Sequence, residues 1–237
     1  MIRRRSLLAL LVLGLLVGTL LWLPAAVVAP MLPQSFECGA LRGTVWGGQC
    51  SELRVRGSRS GSLSWELGFS MMNPTGMRVE LRWTKDNSIA QGILRTKLLS
   101  PVALDLNTVS IDLESLRNAL PTDVRLGPLS GITGRVDSSG LRLEFAPGRL
   151  AALHGEAMLT QIVLLQTGAK IGPFQASFVG KSGAIRDRGG PLGLTATIRI
   201  DETGAVKSKL RLDPRVEGVF PGLAPGRPVE ADVEGRF

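Results

Sequence analysis

Side chains that could do covalent or acid–base chemistry are few in this sequence and widely spaced. His154 is the single histidine, so a serine or cysteine nucleophile would need this side chain as its base. Neither G-x-S-x-G nor H-E-x-x-H occurs, and the acidic residues form no calcium-loop pattern. The sequence therefore predicts a protein without catalytic residues, metal site or cofactor, and it favours a loop or strand-end position for His154.

A partial match to a phosphate-binding loop occurs at Gly180-Lys181-Ser182. The full pattern requires a glycine where this chain has Gln175, and a helix directly after the serine. The residues that follow include Gly189-Gly190-Pro191, which does not favour a helix. We therefore reject a nucleotide-binding loop at this position.

The two cysteines, Cys38 and Cys50, leave two interpretations open. In an oxidising compartment, a disulfide between them would close a short loop and stabilise the fold by about 3 kcal/mol. Otherwise they are two small buried thiols. Their spacing fits neither a C-x-x-C redox motif nor a four-ligand zinc site.

The N-terminus combines a basic start with a long apolar run. Residues 1–6 contain three arginines, and residues 7–28 contain no charged side chain. A run of this length reaches the roughly 20 residues that a helix needs to cross a bilayer. A cleaved signal peptide is the alternative, but its apolar core is shorter and the best cut here would precede Pro30. The pattern favours an anchor over 7–28, with 1–6 in the cytoplasm and 29–237 as a β-rich domain beyond the membrane.

Two further features of the apolar run concern packing in the membrane. Gly14 and Gly18 form a small-xxx-small pair that could let a second transmembrane helix approach closely, although such pairs also occur by chance. Trp22 is expected at the membrane interface. The other three tryptophans are expected in the core, on apolar strand faces: Trp46, Trp65 and Trp83.

The formal net charge is +8, without a basic-aromatic cluster or a nucleic-acid-binding motif. This argues against DNA or RNA as a partner. The basic residues are spread along the chain, which is typical of a solvated face and also fits a domain that works beside an anionic membrane.

A two-residue hydrophobic period covers most of the chain after the apolar run. Segment 63–71 has apolar side chains at its odd positions and segment 76–84 repeats the pattern, which predicts two strands. Turn residues between them predict an antiparallel hairpin. Further hairpins are expected around 137–140 and 201–204, where turn residues separate two more pairs of apolar segments.

The remaining patterns are weaker. Segment 41–48 is interpreted as a strand followed by a tight turn at Gly47-Gly48. Helical spacing is found in 112–120, where three leucines precede Pro121. Additional strands are expected in 91–99, 102–106, 157–165, 174–179 and 229–237.

After the apolar run, the chain has many predicted strands and one predicted helix, and this excess of strands predicts the architecture. Ten or so strands with one apolar face each cannot be covered by one short helix, so the sheet must cover itself. We expect a mainly β protein: an N-terminal transmembrane helix, then a curved antiparallel sheet that forms a groove or partly open barrel, or splits into two layers, with one short helix. The candidate groove lining is Trp65, Leu67, Phe69, Val79, Leu81 and Trp83.

Segment 41–48, LRGTVWGG, matches the L-x-G-T-x-W-x-G signature of the type II secretion system protein N family. With the basic-apolar N-terminus and the Leu63-Ser64-Trp65 strand, the chain resembles this family over essentially its whole length, although 103–153 matches only loosely. The element also resembles AsmA/TamB-like envelope proteins, whose curved sheets form apolar grooves. The signature positions carry over with an expected structural role: Leu41, Gly43, Thr44, Trp46 and Gly48.

The resemblance implies a non-enzymatic accessory or scaffold component of the type II secretion system, which exports folded proteins across the outer membrane. Such a protein would be a single-pass protein of the bacterial inner membrane with its C-terminal domain in the periplasm. Its expected partners are inner-membrane platform proteins and the secretin, contacted through exposed strands or hairpin tips. The alternative is an AsmA/TamB-like lipid-binding or lipid-transfer protein with acyl chains in the groove. An enzyme built around His154 is a third class.

Overall fold

The computed structural model describes residues 2–27, 35–69, 76–97, 102–119, 131–146, 149–201, 205–216 and 225–236. Helix α1 spans Ile2–Leu21, and a short 3-10 helix follows at Ala25–Val27. Helix α1 thus covers residues 7–21 of the predicted anchor 7–28, whose last residue lies outside the described part. The α-helix ends before Pro24 because proline lacks a main-chain N–H and disfavours helical geometry in the residue that precedes it.

Fourteen strands form one antiparallel sheet within the described residues, which confirms a mainly β fold. The strand order follows the sequence from β1 at one edge to β14 at the other. Strand β8 is the exception, because it pairs with β6 and β9. A short helix, α2 (Leu113–Ala119), lies within the predicted helix 112–120. The strands are β1 (Phe36–Gly43), β2 (Gly47–Val55), β3 (Ser58–Phe69), β4 (Gly76–Lys85), β5 (Ser88–Lys97), β6 (Val102–Asp112), β7 (Ile132–Ser138), β8 (Leu141–Ala146), β9 (Arg149–Leu164), β10 (Lys170–Val179), β11 (Ser182–Asp187), β12 (Leu192–Ile200), β13 (Ala205–Pro214) and β14 (Val229–Arg236).

β3 and β4 form the hairpin that the two-residue period predicts. Trp65 pairs with Leu81 and Leu67 pairs with Val79, so the apolar side chains of both strands share one face of the sheet. β12 and β13 pair in the same way, as predicted. The turn residues 70–75 and 202–204 lie outside the described part of the chain.

The hairpin predicted around 137–140 is wrong, because β7 and β8 run in the same direction and occupy one strand position. Both pair antiparallel with β6 on one side and with β9 on the other. Val109 pairs with Ser138 and Leu106 with Leu141, so the register against β6 is unbroken. Gly140 lies between them at a φ of 97° and donates its N–H to the Leu106 carbonyl at 3.1 Å. Its freedom to adopt positive φ lets the chain kink here without reversing.

The tight turn predicted at Gly47-Gly48 is misplaced, because β1 ends at Gly43 and β2 already begins at Gly47, although the strand predicted before the turn is present. Gly43 pairs with Gly48, and the chain reverses at residues 44–46. Gly43 has a φ of 96°, and a Cβ atom there would lie 2.5 Å from the Gly47 carbonyl oxygen. The glycines therefore lie beside the turn, where two main chains come too close for a side chain.

Two bulges keep the apolar side chains on one face along two of the long strands, β6 and β9. β6 has one extra residue, Asn107, against β5, so Leu106 and Val109 share a face although one position is even and the other odd. β9 has an extra residue against β7 near Gln161, whose φ is 53°. Strands of 11 and 16 residues thereby keep a continuous apolar face.

The main buried cluster lies in the second half of the sheet. Its side chains, from β9, β10 and β12, are at most 8% exposed: Ile162, Leu164, Ile171, Phe174 and Leu192. Leu113 at the start of α2 packs against this cluster. Because α2 also contacts β3, β6 and β7, it connects the first half of the sheet to the core of the second.

Candidate interaction surfaces

The first candidate surface is where helix α1 ends against the turn between β1 and β2. This junction, as we call it, comprises residues 20–24 and 44–46. The Trp46 indole donates a hydrogen bond to the Leu20 carbonyl at 2.8 Å, and the Val45 N–H donates to the Leu23 carbonyl at 3.0 Å. The end of the helix is thereby fixed to the sheet.

Further main-chain contacts complete the junction. Pro24 forms an isolated antiparallel bridge with Thr44, and Ala25, the next residue along, is only 1% exposed. The Thr44 N–H donates to the Gly47 carbonyl at 2.9 Å, and the Gly47 N–H donates to the Thr44 Oγ1 atom at 3.3 Å. The turn is therefore closed by its own hydrogen bonds as well as held against the helix.

The structure brings most of the predicted signature positions together at this junction. A Cβ atom on Gly48 would lie 2.5 Å from the Trp65 ring and 2.7 Å from the Arg42 carbonyl, so only glycine fits between them. Leu41 lies farther along β1, opposite Cys50. The positions in or beside the turn are Gly43, Thr44, Trp46 and Gly48.

Trp46 differs from its expected position on a core strand face. It lies half-buried in the turn, and its indole binds the helix. The glycines on either side of the T-x-W segment were the sequence signal for this turn, because paired glycines mark a close approach of two strands. The contact with α1 had no local signal, since 26 residues separate its partners.

Cys38 and Cys50 form a disulfide beside the junction, so that the disulfide interpretation is confirmed. The bridge joins β1 to β2, with 5.7 Å between the two Cα atoms. Cys50 is 4% exposed and Cys38 is half-buried. The disulfide therefore fixes the edge strand of the sheet to its only neighbour within the described residues.

The second candidate surface is the predicted groove lining on β3 and β4. Five of its six side chains lie together on one face of the paired strands, and the side chain of Phe69 lies outside the described residues. Val79 is 8% exposed, whereas the other four are half-buried: Trp65, Leu67, Leu81 and Trp83. We call these five side chains the N-terminal apolar row. Its neighbours across β5 and β6 are also apolar: Leu94, Leu104 and Leu106.

The indole groups of this row have main-chain partners. Trp65 donates to the Val45 carbonyl at 3.1 Å, and Trp83 donates to the Ser60 carbonyl at 2.5 Å. A partly buried indole N–H requires such a partner. These hydrogen bonds hold both rings against the sheet, so the row is a fixed surface.

Beyond Trp83, the β4–β5 turn contains the clearest electrostatic perturbation in the described residues. Lys85 donates from its Nζ atom to the Arg59 carbonyl at 2.8 Å. Burial lowers the pKa of Lys85 below its ordinary value, and the adjacent Asp86 carboxylate partly opposes this effect. Asp86 also accepts a hydrogen bond at 3.4 Å from Ser115 of α2. This end of the turn is therefore joined to α2.

The opposite face of β3–β5 is polar and forms a cavity of about 500 Å³. Arg78 and Glu80 form an ion pair at 2.7 Å on its border, with about half of each side chain exposed. Trp65 and Leu81 reach its edge, but most of its lining is polar: Ser64, Glu66, Arg78, Glu80, Arg82, Gln91 and Asn107. The cavity therefore belongs mainly to the charged face and not to the predicted groove.

His154 lies inside β9, opposite Arg142, and not in a loop or at a strand end. Its Nδ1 atom accepts a hydrogen bond at 3.3 Å from the Gly180 N–H, in the turn between β10 and β11. The imidazole thus supports a neighbouring turn. Gly180 and Lys181 form that turn, which agrees with the rejection of a phosphate-binding loop. Among the described residues, no group of three acidic, histidine or cysteine side chains could hold a metal ion.

Helix α1 has no neighbour at the predicted packing positions in the described chain. A Cβ atom on Gly14 or on Gly18 would have no atom within 4 Å, and contact with a second helix remains a prediction. Within the described residues, no helix combines the length and the apolarity that crossing a membrane requires.

Comparison with known proteins identifies relatives of this chain. Residues 35–218, more than three quarters of the sequence, match the family model described as type II secretion system (T2SS), protein N. Over 103 residues the chain is 31% identical to the type II secretion system protein N of Vibrio cholerae, an alignment that covers 39% of this chain and 41% of that protein. The chain thus matches less than half the length of this relative. No solved structure matches.

The match includes the junction turn, the disulfide, the N-terminal apolar row and the core cluster in one continuous region. The family is an accessory component of type II secretion and is not known as a family of enzymes. Since its model covers most of the chain, this protein belongs to the type II secretion system protein N family.

Proposed function

We propose that this protein is an inner-membrane-anchored accessory scaffold of the type II secretion system, with α1 as its anchor and its sheet in the periplasm. Family membership is the observation that carries the proposal. The side chains of α1 support the anchor, because its leucines from Leu13 to Leu21 are 55 to 64% exposed. Such a surface is unfavourable in water and favourable in hydrocarbon. The arginines in residues 1–6 would keep the N-terminus in the cytoplasm.

The disulfide supports a periplasmic position of the sheet. Cys38 and Cys50 are bonded, and structural disulfides persist in oxidising compartments such as the bacterial periplasm and are rare in the cytosol. The arginine bias and the disulfide therefore favour the same topology.

The scaffold role would use the edges of the sheet. Among the described residues, β1 and β14 each pair with one neighbouring strand, and an unpaired strand edge can accept a strand from another protein. Exposed acidic side chains on β14, Glu230 and Asp232, would favour a partner strand with basic residues. Inner-membrane platform proteins and the secretin are the proposed partners.

Deletion and complementation in the native host test the secretion role. Deletion of the gene should lower the amount of secreted proteins in the medium and raise it in the periplasm, and the full chain should restore secretion. Immunoblots of both fractions give the measurement, with a periplasmic enzyme as the leakage control. Unchanged secretion together with intact secretion complexes would contradict the proposal.

The topology is tested separately. Alkaline phosphatase fused after residue 237 should be active, since it folds only in an oxidising compartment, and the fusion should remain in the membrane pellet after alkaline extraction. An inactive reporter would place the C-terminus on the cytoplasmic side. A fusion released by alkali would contradict an integral anchor.

The predicted glycine pair gives a further proposal about α1. Gly14 and Gly18 would form the contact face toward a transmembrane helix of a partner, since nothing in the described chain lies near either position. Replacing both by isoleucine should reduce copurification of inner-membrane partners without changing the amount of protein in the membrane. Unchanged copurification would contradict this contact.

Lipid binding in a curved sheet, as in AsmA/TamB-like proteins, is the second candidate function. It is favoured by the half-buried state of four side chains in the N-terminal apolar row, which would accommodate acyl chains. Native mass spectrometry of the detergent-extracted protein should then detect bound phospholipid, and Leu81→Glu should remove it while Glu80→Gln, on the polar face, should not. Protein free of phospholipid would favour the scaffold role alone.

A further inference from the structure

Three indole groups form a series of contacts that leads from α1 into the sheet. Each tryptophan donates its N–H to a main-chain carbonyl of a segment earlier in the chain. The pairs, in order, are Trp46 with Leu20, Trp65 with Val45 and Trp83 with Ser60, at 2.8, 3.1 and 2.5 Å. The end of the helix, the β1–β2 turn and the body of the sheet are therefore linked one after another.

This series leads away from the β1–β2 turn along β3. Glu66 of β3 pairs with Gly47 beside the turn. Ser60 is six residues earlier in the same strand and therefore farther from this turn. At about 3.4 Å per residue, the Trp83 indole is roughly 20 Å from the turn. Trp65 pairs with Gly48 and lies close to the turn. The tryptophans are thus ordered by their distance from α1: Trp22, Trp46, Trp65 and Trp83.

The apolar surface of α1 continues to the junction. Leu20 and Leu21 are 55% and 59% exposed, and Trp22 is 81% exposed. An indole at the end of a run of exposed leucines is typical of the interface between hydrocarbon and lipid headgroups, because its ring is apolar and its N–H is polar. The hydrogen bonds of Trp46 and Val45 keep the turn within contact of this helix end.

We propose that the lipid headgroup layer meets the molecule at the junction, so that the β1–β2 turn rests on the bilayer and the sheet extends away from it. This inference rests on the proposed anchoring by α1. It adds that the sheet has a fixed orientation: the turn with Thr44, Val45 and Trp46 faces the membrane, and the β4–β5 turn with Asp86 and Asn87 faces away. The hydrogen bonds at the junction then position the sheet relative to the membrane, in addition to stabilising it.

Quenching by brominated phospholipids tests this order on the full chain in vesicles of phosphatidylcholine. Three variants each replace one tryptophan by phenylalanine, and the quenched fluorescence lost in each variant reports how close that ring is to lipid. We expect the largest loss in Trp22→Phe, a smaller loss in Trp46→Phe, and no loss in Trp83→Phe. Non-reducing gels check that each variant retains the Cys38–Cys50 disulfide.

The outcomes separate this inference from the anchor itself. If Trp22→Phe removes the quenched component and Trp46→Phe does not, α1 is in the membrane but the sheet is held away, and the inference fails. If neither substitution changes the quenching, the anchor proposal fails as well. If Trp83→Phe lowers the quenching as much as Trp46→Phe, the sheet lies along the bilayer, which also overturns the proposed orientation.

A second measurement leaves every tryptophan in place. Arg42 and Asn87 are both exposed, but Arg42 lies beside the junction turn and Asn87 lies in the β4–β5 turn. A polarity-sensitive dye on Arg42→Cys should shift to the blue when vesicles are added, and the same dye on Asn87→Cys should not. Equal shifts at the two positions, or no shift at either, would contradict a fixed orientation with the junction on the membrane.

Discussion

The two halves of the sheet present their apolar side chains differently. In β9, β10 and β12, Phe174, Ile162 and Leu192 are at most 2% exposed and form a packed cluster with their neighbours. In β3 and β4, the N-terminal apolar row contains only one side chain below 9% exposure, Val79. Apolar and polar residues alternate in β12 as they do in β3 and β4, so alternation alone does not determine how deeply a face is buried.

The difference indicates that the two halves are stabilised by different interactions. The C-terminal half relies on buried apolar area, which contributes roughly 25 cal/mol for each Å² removed from water. The N-terminal half adds a disulfide, three indole hydrogen bonds and the junction with α1. A half that is held by such specific links can leave its apolar face available to a partner or a lipid.

The largest expected effect comes from a matched pair of leucine truncations. Leu192→Ala should lower the free energy of unfolding by about 2–5 kcal/mol, because Leu192 is 1% exposed and its removal leaves a cavity. Leu81→Ala should lower it by about 1 kcal/mol, since Leu81 is half-buried. Urea unfolding followed by circular dichroism measures both. Equal losses in the free energy of unfolding would contradict the proposed difference between the halves.

Loss of the disulfide should destabilise the N-terminal half selectively. Cys38→Ser with Cys50→Ser removes a crosslink across 12 positions and should lower stability by about 3 kcal/mol. Hydrogen exchange should speed up in β1 and β2 while β9 and β10 keep their protection. Reductant should reproduce the change in the native chain and have no effect on the double variant. Faster exchange throughout the sheet would contradict the distinction.

Two adjacent glycines beside the junction, Gly47 and Gly48, give a test with a smaller expected effect. Gly48→Ala would place a Cβ atom 2.5 Å from the Trp65 ring, and overpacking of this kind should cost about 1–3 kcal/mol. Gly47→Ala is the control, because the nearest atom to its Cβ would be 3.9 Å away. Thermal unfolding measures stability, and tryptophan emission should shift only in Gly48→Ala. Identical behaviour of the two variants would contradict the close packing at the turn.

Losses equal to or smaller than that of Gly48→Ala are expected for one ion pair from each half. Arg215 binds Asp187 at 2.6 Å, and the Asp187 side chain is 10% exposed. Arg215→Gln should therefore cost about 1–3 kcal/mol, because a nearly buried carboxylate loses its cationic partner and keeps, among the described residues, only the Gly189 N–H as a donor. Arg78→Gln should cost less than about 1 kcal/mol, because the Arg78–Glu80 pair is solvent-exposed. Urea unfolding at low and high salt gives both values. A larger cost at Arg78 would show that the exposed face contributes more than its geometry predicts.

Much of the candidate surface was predictable because strand faces follow from local alternation. Trp65, Leu67, Val79 and Leu81 lie on one face as their spacing requires. Trp46 was not predictable in the same way, since its partner is the end of a helix 26 residues earlier in the chain. A contact over that separation depends on where the β1–β2 hairpin lies relative to α1, and no local sequence pattern predicts that position.

The kink at Gly140 illustrates the same limit in the fold. Residues 137–140 have the composition of a hairpin turn, but the pairing of both flanking strands with β6 and β9 keeps the chain running forward. The register with two neighbours outweighs the local turn preference, since each strand gains hydrogen bonds on both sides.

Sequence reasoning was sufficient for the β character of the chain, the faces of most strands and the position of α2, because these depend on residues close together in the chain. It also identified the two cysteines that could pair, while the bond itself was established by the structure. Tertiary structure alone decided which apolar faces are deeply buried, where the chain reverses at 44–46, and how α1 meets the sheet. These features depend on which distant strands become neighbours, and burial and hydrogen bonding between such neighbours exist only once the sheet has formed.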